Sequence, residues 1–195
     1  MTSLLVNHIL QTEKWTSPEL FETKNRIYTF LNPVSYLIAL ENKSLFEQFD
    51  GIFADGSLLV SAIRLVYGKR VTRRSFDMTS LAPELLNYLM ESRKTLYIVA
   101  SGQEQVECSV RIFQEQYPKL RIAGFRNGYF SSDAEMNKEA SHIVELNPDF
   151  LIVGMGALMQ EKFLLKVKKM GYQGIGFTCG GFVHQTAMNR MHYYP

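Results

Sequence analysis

Phe150-Leu151-Ile152-Val153-Gly154-Met155-Gly156-Ala157-Leu158-Met159-Gln160-Glu161-Lys162 joins an unbroken apolar run to a glycine-bearing turn and the start of a helical pattern. A run without polar alternation reads as a strand covered on both faces, the usual state of strands in a parallel sheet. The glycines let backbone approach a phosphate or a sugar, and the helix that follows offers amide donors and the positive end of its dipole. Working outward, Thr95 to Ala100 and Gly174 to Thr178 are equally apolar, and Arg26 to Leu31, Gly51 to Ala54 and Arg121 to Phe125 complete the strand candidates. Helical periodicity fills the intervals at Ser35 to Glu47, Ser57 to Val66, Thr79 to Ser92, Gln103 to Gln116, Asp133 to Glu145 and Gln160 to Met170. Ser132-Asp133 supplies an N-cap signal for one of them. This alternation predicts an α/β, Rossmann-like, mainly parallel sheet flanked by helices, a single domain over residues 1–195, with ligands at the carboxyl ends of the strands.

The composition fits that architecture. A chain of 195 residues with 46% hydrophobic residues can bury one substantial core. The formal net charge of +2 argues against a nucleic-acid partner, which calls for a dense basic face. The densest basic cluster, Lys69, Arg70, Arg73 and Arg74, reads either as a solvated loop or as an anion site. Cys108 and Cys179 lie far apart in a helical and a strand segment, so neither a disulfide framework nor a metal site is expected, and the compartment reads as the reducing cytoplasm. The N-terminal stretch lacks the features of a signal peptide, and no apolar run is long enough to cross a bilayer. Any membrane contact is therefore expected to be peripheral.

Four strand ends carry turn chemistry suited to a ligand. Phe53-Ala54-Asp55-Gly56-Ser57 ends a strand in an acid, which is the position of a general base. The same residues also describe an ordinary Asp-Gly turn with Ser57 capping the next helix. Gly154-Met155-Gly156 is a weak glycine signal without the third glycine of the dinucleotide fingerprint. Asn127-Gly128-Tyr129-Phe130 and Thr178-Cys179-Gly180-Gly181 are the other two, and all four are expected to converge on one crevice. His8, His142, His184 and His192 show no ligand spacing, and neither a P-loop nor a nucleophile elbow is present.

The order of these pieces resembles the WecG/TagA/CpsF family of glycosyltransferases from about Arg26 onward. The resemblance rests on Asn32-Pro33, Ala54-Asp55-Gly56-Ser57, Arg74 ahead of Phe76-Asp77, Gly128-Tyr129-Phe130, Gly154-x-Gly156 with Gln160-Glu161-Lys162, and Gly180-Gly181. It implies an inverting, metal-independent transfer of a hexose or N-acetylhexosamine, such as N-acetylmannosamine, from a UDP-sugar to a polyprenyl-pyrophosphate-linked sugar. No cofactor is implied beyond that donor. By the resemblance Asp55 is the base and Arg74 meets the charge on departing UDP, with Arg73 as its neighbour. Asn32, Gly56, Asn127, Tyr129, Gly154, Gly156, Gln160, Glu161, Gly180 and Gly181 form the donor site.

Phe30, Leu58, Leu158-Met159 and His184 depart from the family's pattern, and the first three of these departures support the alternative of a catalytically inactive nucleotide-sugar-binding module. The family continues past the position of Pro195 into a basic, aromatic tail associated with membrane attachment. The resemblance therefore implies a C-terminally truncated chain, an enzyme peripheral at the inner face of the cell membrane, and scope for homo-oligomers.

Overall fold

The computed structural model describes residues 4–190, and its strands β1 (Arg26–Leu31), β2 (Gly51–Ala54), β3 (Thr95–Ala100), β4 (Arg121–Arg126), β5 (Phe150–Gly154) and β6 (Ile175–Thr178) form one sheet in the order β2-β1-β6-β5-β3-β4. Every pairing in the sheet is parallel, as the apolar runs require. The helices are α1 (Leu4–Thr12), α2 (Ser17–Glu22), α3 (Pro33–Glu41), α4 (Lys43–Phe46), α5 (Ser57–Tyr67), α6 (Leu81–Ser92), α7 (Gln103–Gln116), α8 (Asp133–Leu146), α9 (Met159–Lys169) and α10 (Phe182–Asn189).

Side chains alternate across the strands, and β1, β2, β3 and β5 feed two separate cores. Ile27 and Leu31 join one core with residues of α1, α3, α5, α8 and α9, whereas Tyr28 and Phe30 join the other with α2, α6, α7 and α10. The second core is aromatic: Tyr28 stacks on Phe177 at 5.1 Å, Phe30 on Phe53 at 5.1 Å and Phe113 on Phe182 at 5.5 Å between ring centroids. Such pairs add roughly 0.5–1.5 kcal/mol each beyond the area they bury.

Local chemistry starts the helices beside the sheet's carboxyl edge. Asn32 Oδ1 accepts from the Ser35 amide at 2.9 Å with Pro33 in the first helical turn, so β1 passes directly into α3. Ser132 caps α8 by accepting from the Glu135 amide at 3.2 Å. The periodic segment Ser35 to Glu47 is split: Asn42 leaves the helical region, its side-chain amide donates to the Ile38 carbonyl at 2.9 Å, and α4 begins anew. Helices α1, α2 and α10 were not expected. In particular, a helix does follow the last strand and its Gly-Gly turn, burying Phe182, Val183 and Thr186. The expected truncation of a tail lies outside the described residues.

Candidate functional site

The carboxyl ends of the strands open onto two adjoining cavities of about 520 and 340 Å³ that share Gly156, Gly180 and Gly181. Tyr129, Phe130, Met136, Met155, Met159 and His184 make the larger lobe mostly apolar with one imidazole. Asn32, Ser35, Asp55, Asp77, Gln160 and Gln185 make the smaller lobe polar and acidic. Ser101 laces three of the strand ends together: its amide donates to the Gly154 carbonyl at 3.0 Å and its carbonyl accepts from the Gly128 amide at 2.8 Å.

Asp55 extends the parallel pairing of β2 by one residue, its amide donating to the Leu31 carbonyl at 2.8 Å. The half-buried side chain thus stands at the strand end inside the polar lobe. Burial pushes its carboxyl above the usual range, the nearby Asp77 carboxylate pushes the same way, and Arg73 opposes both. Asp77 lies on the other side of the range. Burial alone would raise it, but it accepts from the Thr79 amide at 2.7 Å, the Ser75 hydroxyl at 2.8 Å and Arg73 at 2.9 Å, and these hold it low. Two neighbouring carboxylates with opposed shifts form an arrangement in which one remains a fixed charge while the other exchanges a proton.

Gln160 and Glu161 form the wall behind the lobe. Gln160 Oε1 accepts from the Gly180 amide at 3.1 Å, and its Nε2 donates to Glu161 Oε1 at 2.9 Å. Glu161, fully buried, also accepts from Thr29 Oγ1 at 2.9 Å and from the Leu158 amide at 2.7 Å. Burial raises its carboxyl, opposed by these donors. Leu158 is held at φ +71, a left-handed conformation unfavourable to leucine, with its amide in Glu161's grip. Glu161 therefore ties β1 to the first turn of α9 rather than facing the crevice. Gly154 is required by crowding, since a Cβ there would lie 2.6 Å from the Gly180 carbonyl and 2.8 Å from Cys179 Sγ.

Arg126 shapes the rim of the larger lobe. Its guanidinium donates to the carbonyls of Asn127 and Tyr129, each at 2.9 Å, lies 4.1 Å over the Phe130 ring and pairs with Glu135 at 3.1 Å. Asn127 accepts from the Tyr129 amide at 2.9 Å and donates to Gln103 at 3.1 Å, so it braces the loop that presents Tyr129, 75% exposed, at the rim.

The crevice thus brings together Asp55, Asn32, Gln160, Tyr129, Gly154, Gly156, Gly180 and Gly181 from the sequence-derived set. Glu161 and Asn127 support it from behind, and Gly56 turns the chain at φ +86 between Asp55 and α5. Arg74 is not brought in. Its amide donates to the Ala54 carbonyl, but its guanidinium donates to the Trp15 carbonyl at 2.9 Å and lies 5.2 Å over the Phe53 ring. In the loop after α5, Arg74 thus faces the aromatic core, whereas Arg73 pairs with Asp77 at 2.9 Å beside Asp55.

Ser35 and Gln185 were not singled out from the sequence, and Asp77 and Met155 figured there only inside motifs, without a role at the site, although Asp77-x-Thr79 ahead of α6 has the form of an Asx turn, which the Asp77–Thr79 bonds realise. Among the described residues no Arg or Lys lines either lobe, and no group of three or more His, Cys, Asp or Glu is placed to hold a metal.

The profile described as the Glycosyl transferase WecG/TagA/CpsF family matches residues 9–190. A Shigella boydii protein named UDP-Gal:alpha-D-GlcNAc-diphosphoundecaprenol beta-1,4-galactosyltransferase is 31% identical over 190 residues, covering 97% of this chain and 76% of its own length. Proteins named N-acetylglucosaminyldiphosphoundecaprenol N-acetyl-beta-D-mannosaminyltransferase are also similar. The one from Bacillus subtilis (strain 168) is 23% identical over 80% of this chain, and the one from Staphylococcus aureus (strain NCTC 8325 / PS 47) is 25% identical over 73%. This chain's matches span 60% and 56% of those two proteins.

Proposed function

Because this chain belongs to the WecG/TagA/CpsF family and is a glycosyltransferase, we propose that it transfers a hexose or N-acetylhexosamine from a UDP-sugar to a polyprenyl-diphosphate-linked sugar, with inversion and without a metal. The observation that carries this reading is the pair of adjoining lobes at the sheet's carboxyl edge, with Asp55 in the polar one and shared glycine backbone between them. One lobe suits the donor and the other the acceptor sugar. UDP-galactose is the first donor to try, given the Shigella boydii relative's name and its 31% identity. The β linkages in the relatives' names support inversion, since UDP-hexoses carry the sugar in α linkage.

In this reading the Asp55 carboxylate takes the proton of the acceptor hydroxyl as its oxygen bonds to the anomeric carbon. The bond to UDP breaks on the opposite face, and UDP leaves with the electron pair. A carboxyl raised by burial is a stronger base than an ordinary aspartate. The amino ends of α9 and α10, next to Gly156 and Gly181, offer positive dipole ends to the departing phosphate, and His184 faces the same space. Arg74, engaged by Trp15, is assigned no direct contact with UDP and acts in this reading by holding the end of β2 at Ala54, just before Asp55. None of the described helices is long and apolar enough to cross a membrane, and we place the enzyme peripherally at the membrane's inner face, where its acceptor lies.

The test is a transfer assay with UDP-galactose, UDP-N-acetylmannosamine and UDP-glucose on an N-acetylglucosaminyl-diphospho-lipid, in EDTA. A β-linked disaccharide lipid is expected from one donor. An α-linked product, or turnover that needs an added divalent ion, overturns the mechanism.

A further inference from the structure

Helices α3 and α5 begin beside Asn32 and Asp55 and run away from the crevice, and an apolar groove of about 290 Å³ lies between them. Val34, Leu37, Leu58, Leu65 and Val66 are 63–88% exposed along these two helices. Leu58, Ala62, Leu65 and Val66 fall on one face of α5 by helical spacing, while Leu59 and Ile63 supply the face that packs on the core. So large a cluster of exposed apolar side chains marks a binding surface. Its extent follows from the helix rise, about 16 Å along α5.

Resting on the function proposed above, we propose that this groove holds the polyisoprenoid chain of the acceptor, in the stretch adjoining the diphosphate. The nearness of groove and crevice along both helices is the reason. Asn32, Ser35 and Asp55 line the polar lobe, and their chain neighbours Pro33, Tyr36 and Leu58 line the groove, so each helix carries one cavity into the other's vicinity. An acceptor with a sugar at one end and a hydrocarbon at the other meets its two chemistries in that order. The groove is almost wholly apolar, so it selects hydrocarbon and contributes no hydrogen bonds to orient a polar ligand.

The test needs no turnover. The full chain is photolabelled with a benzophenone-bearing geranyl diphosphate, with farnesyl diphosphate or UDP as competitor. Saturable labelling of α3 or α5 that farnesyl diphosphate suppresses and UDP does not is expected. Leu37→Ser combined with Val66→Ser, both exposed, should weaken it about tenfold or more, while titration with UDP-sugars stays unchanged.

Labelling elsewhere, non-saturable labelling, or labelling indifferent to the double variant overturns the groove. Two further results do so by assigning the face to another occupant. One is a wild-type dimer that the double variant converts to monomer in sedimentation. The other is flotation with phosphatidylcholine vesicles free of polyprenyl lipid that the double variant abolishes. Absence of transfer with every UDP-sugar, alongside saturable groove labelling, sinks the proposed function instead and so separates the two failures.

Discussion

Strand β2 is bracketed by two aspartates that the fold treats in opposite ways. Asp50, at the amino edge of the sheet, accepts from the Ile27 amide at 2.8 Å and pairs with Arg26 at 3.1 Å and Lys168 at 2.5 Å. Asp149 repeats the pattern before β5, accepting from the Thr95 amide at 3.0 Å and from Lys94 at 3.1 Å. Burial alone would raise the Asp149 carboxyl, but these donors hold it below the usual range. Asp55, at the carboxyl edge, has no side-chain hydrogen bond among the described residues, and burial with Asp77 nearby raises it. The amino edge uses its acids to fasten strands, whereas the carboxyl edge leaves one partly buried acid uncommitted. An acid held without partners is the one available to move a proton.

Neutralising each aspartate in turn separates the two roles. Asp55→Asn should cost roughly 10²–10⁴-fold in transfer, the range for a lost general base, with UDP-sugar binding intact by calorimetry. The same variant should be at least as stable as wild type at neutral pH. The raised folded-state carboxyl means the unfolded chain gives up its proton first, so wild-type stability falls as pH rises from the unfolded value through the folded one. Asp50→Asn should do the reverse, leaving transfer near normal and lowering stability by roughly 1–3 kcal/mol in urea melts. An Asp55→Asn enzyme with full turnover would remove the base assignment.

Glu161 sharpens the contrast, because it stands just behind the carboxyl edge yet is committed like Asp50. Glu161→Ala strands three buried or half-buried donors, the Thr29 hydroxyl, the Gln160 amide and the Leu158 amide. It should lower stability by roughly 2–5 kcal/mol and loosen Gln160's hold on Gly180. Faster hydrogen exchange at the Gly180 amide is the specific readout. Glu161→Gln keeps one acceptor oxygen but turns an NH₂ toward the Leu158 amide, so a smaller loss is expected.

The strands were legible because continuous apolar runs have one interpretation in a sheet covered on both faces, and β1, β2 and β3 match their expected bounds. The crevice was legible for the same reason, since acids and glycines directly after such runs must sit at the sheet's carboxyl edge. Helix α10 was hidden by its length and by the Gly180-Gly181 pair, whose turn chemistry masked the buried spacing of Phe182, Val183 and Thr186. The direction of Arg74 was not legible at all. It depends on a carbonyl of Trp15 and a ring of Phe53 that only tertiary packing brings near. Glu161 entered the donor set through the resemblance carried by Gln160-Glu161-Lys162, whereas its hydrogen bonds to Thr29 and Leu158 hold it as a buried tie.

The smallest expected effect probes how the uncommitted acid is tuned. Asp77, held low by its donors, stays ionised over the working range and exerts a constant repulsion on the Asp55 carboxylate. Asp77→Asn removes that repulsion, so Asp55 loses its proton more readily and the acid limb of kcat/KM should move to lower pH. Arg73→Ala removes an attraction and also unpairs Asp77, and both changes disfavour the Asp55 carboxylate. Its acid limb should move to higher pH. The two residues touch each other, so a purely structural disturbance of the loop would shift both profiles the same way. Opposite displacements tie the limb to Asp55 and to charge, and parallel ones would assign it to packing of the segment between β2 and α6.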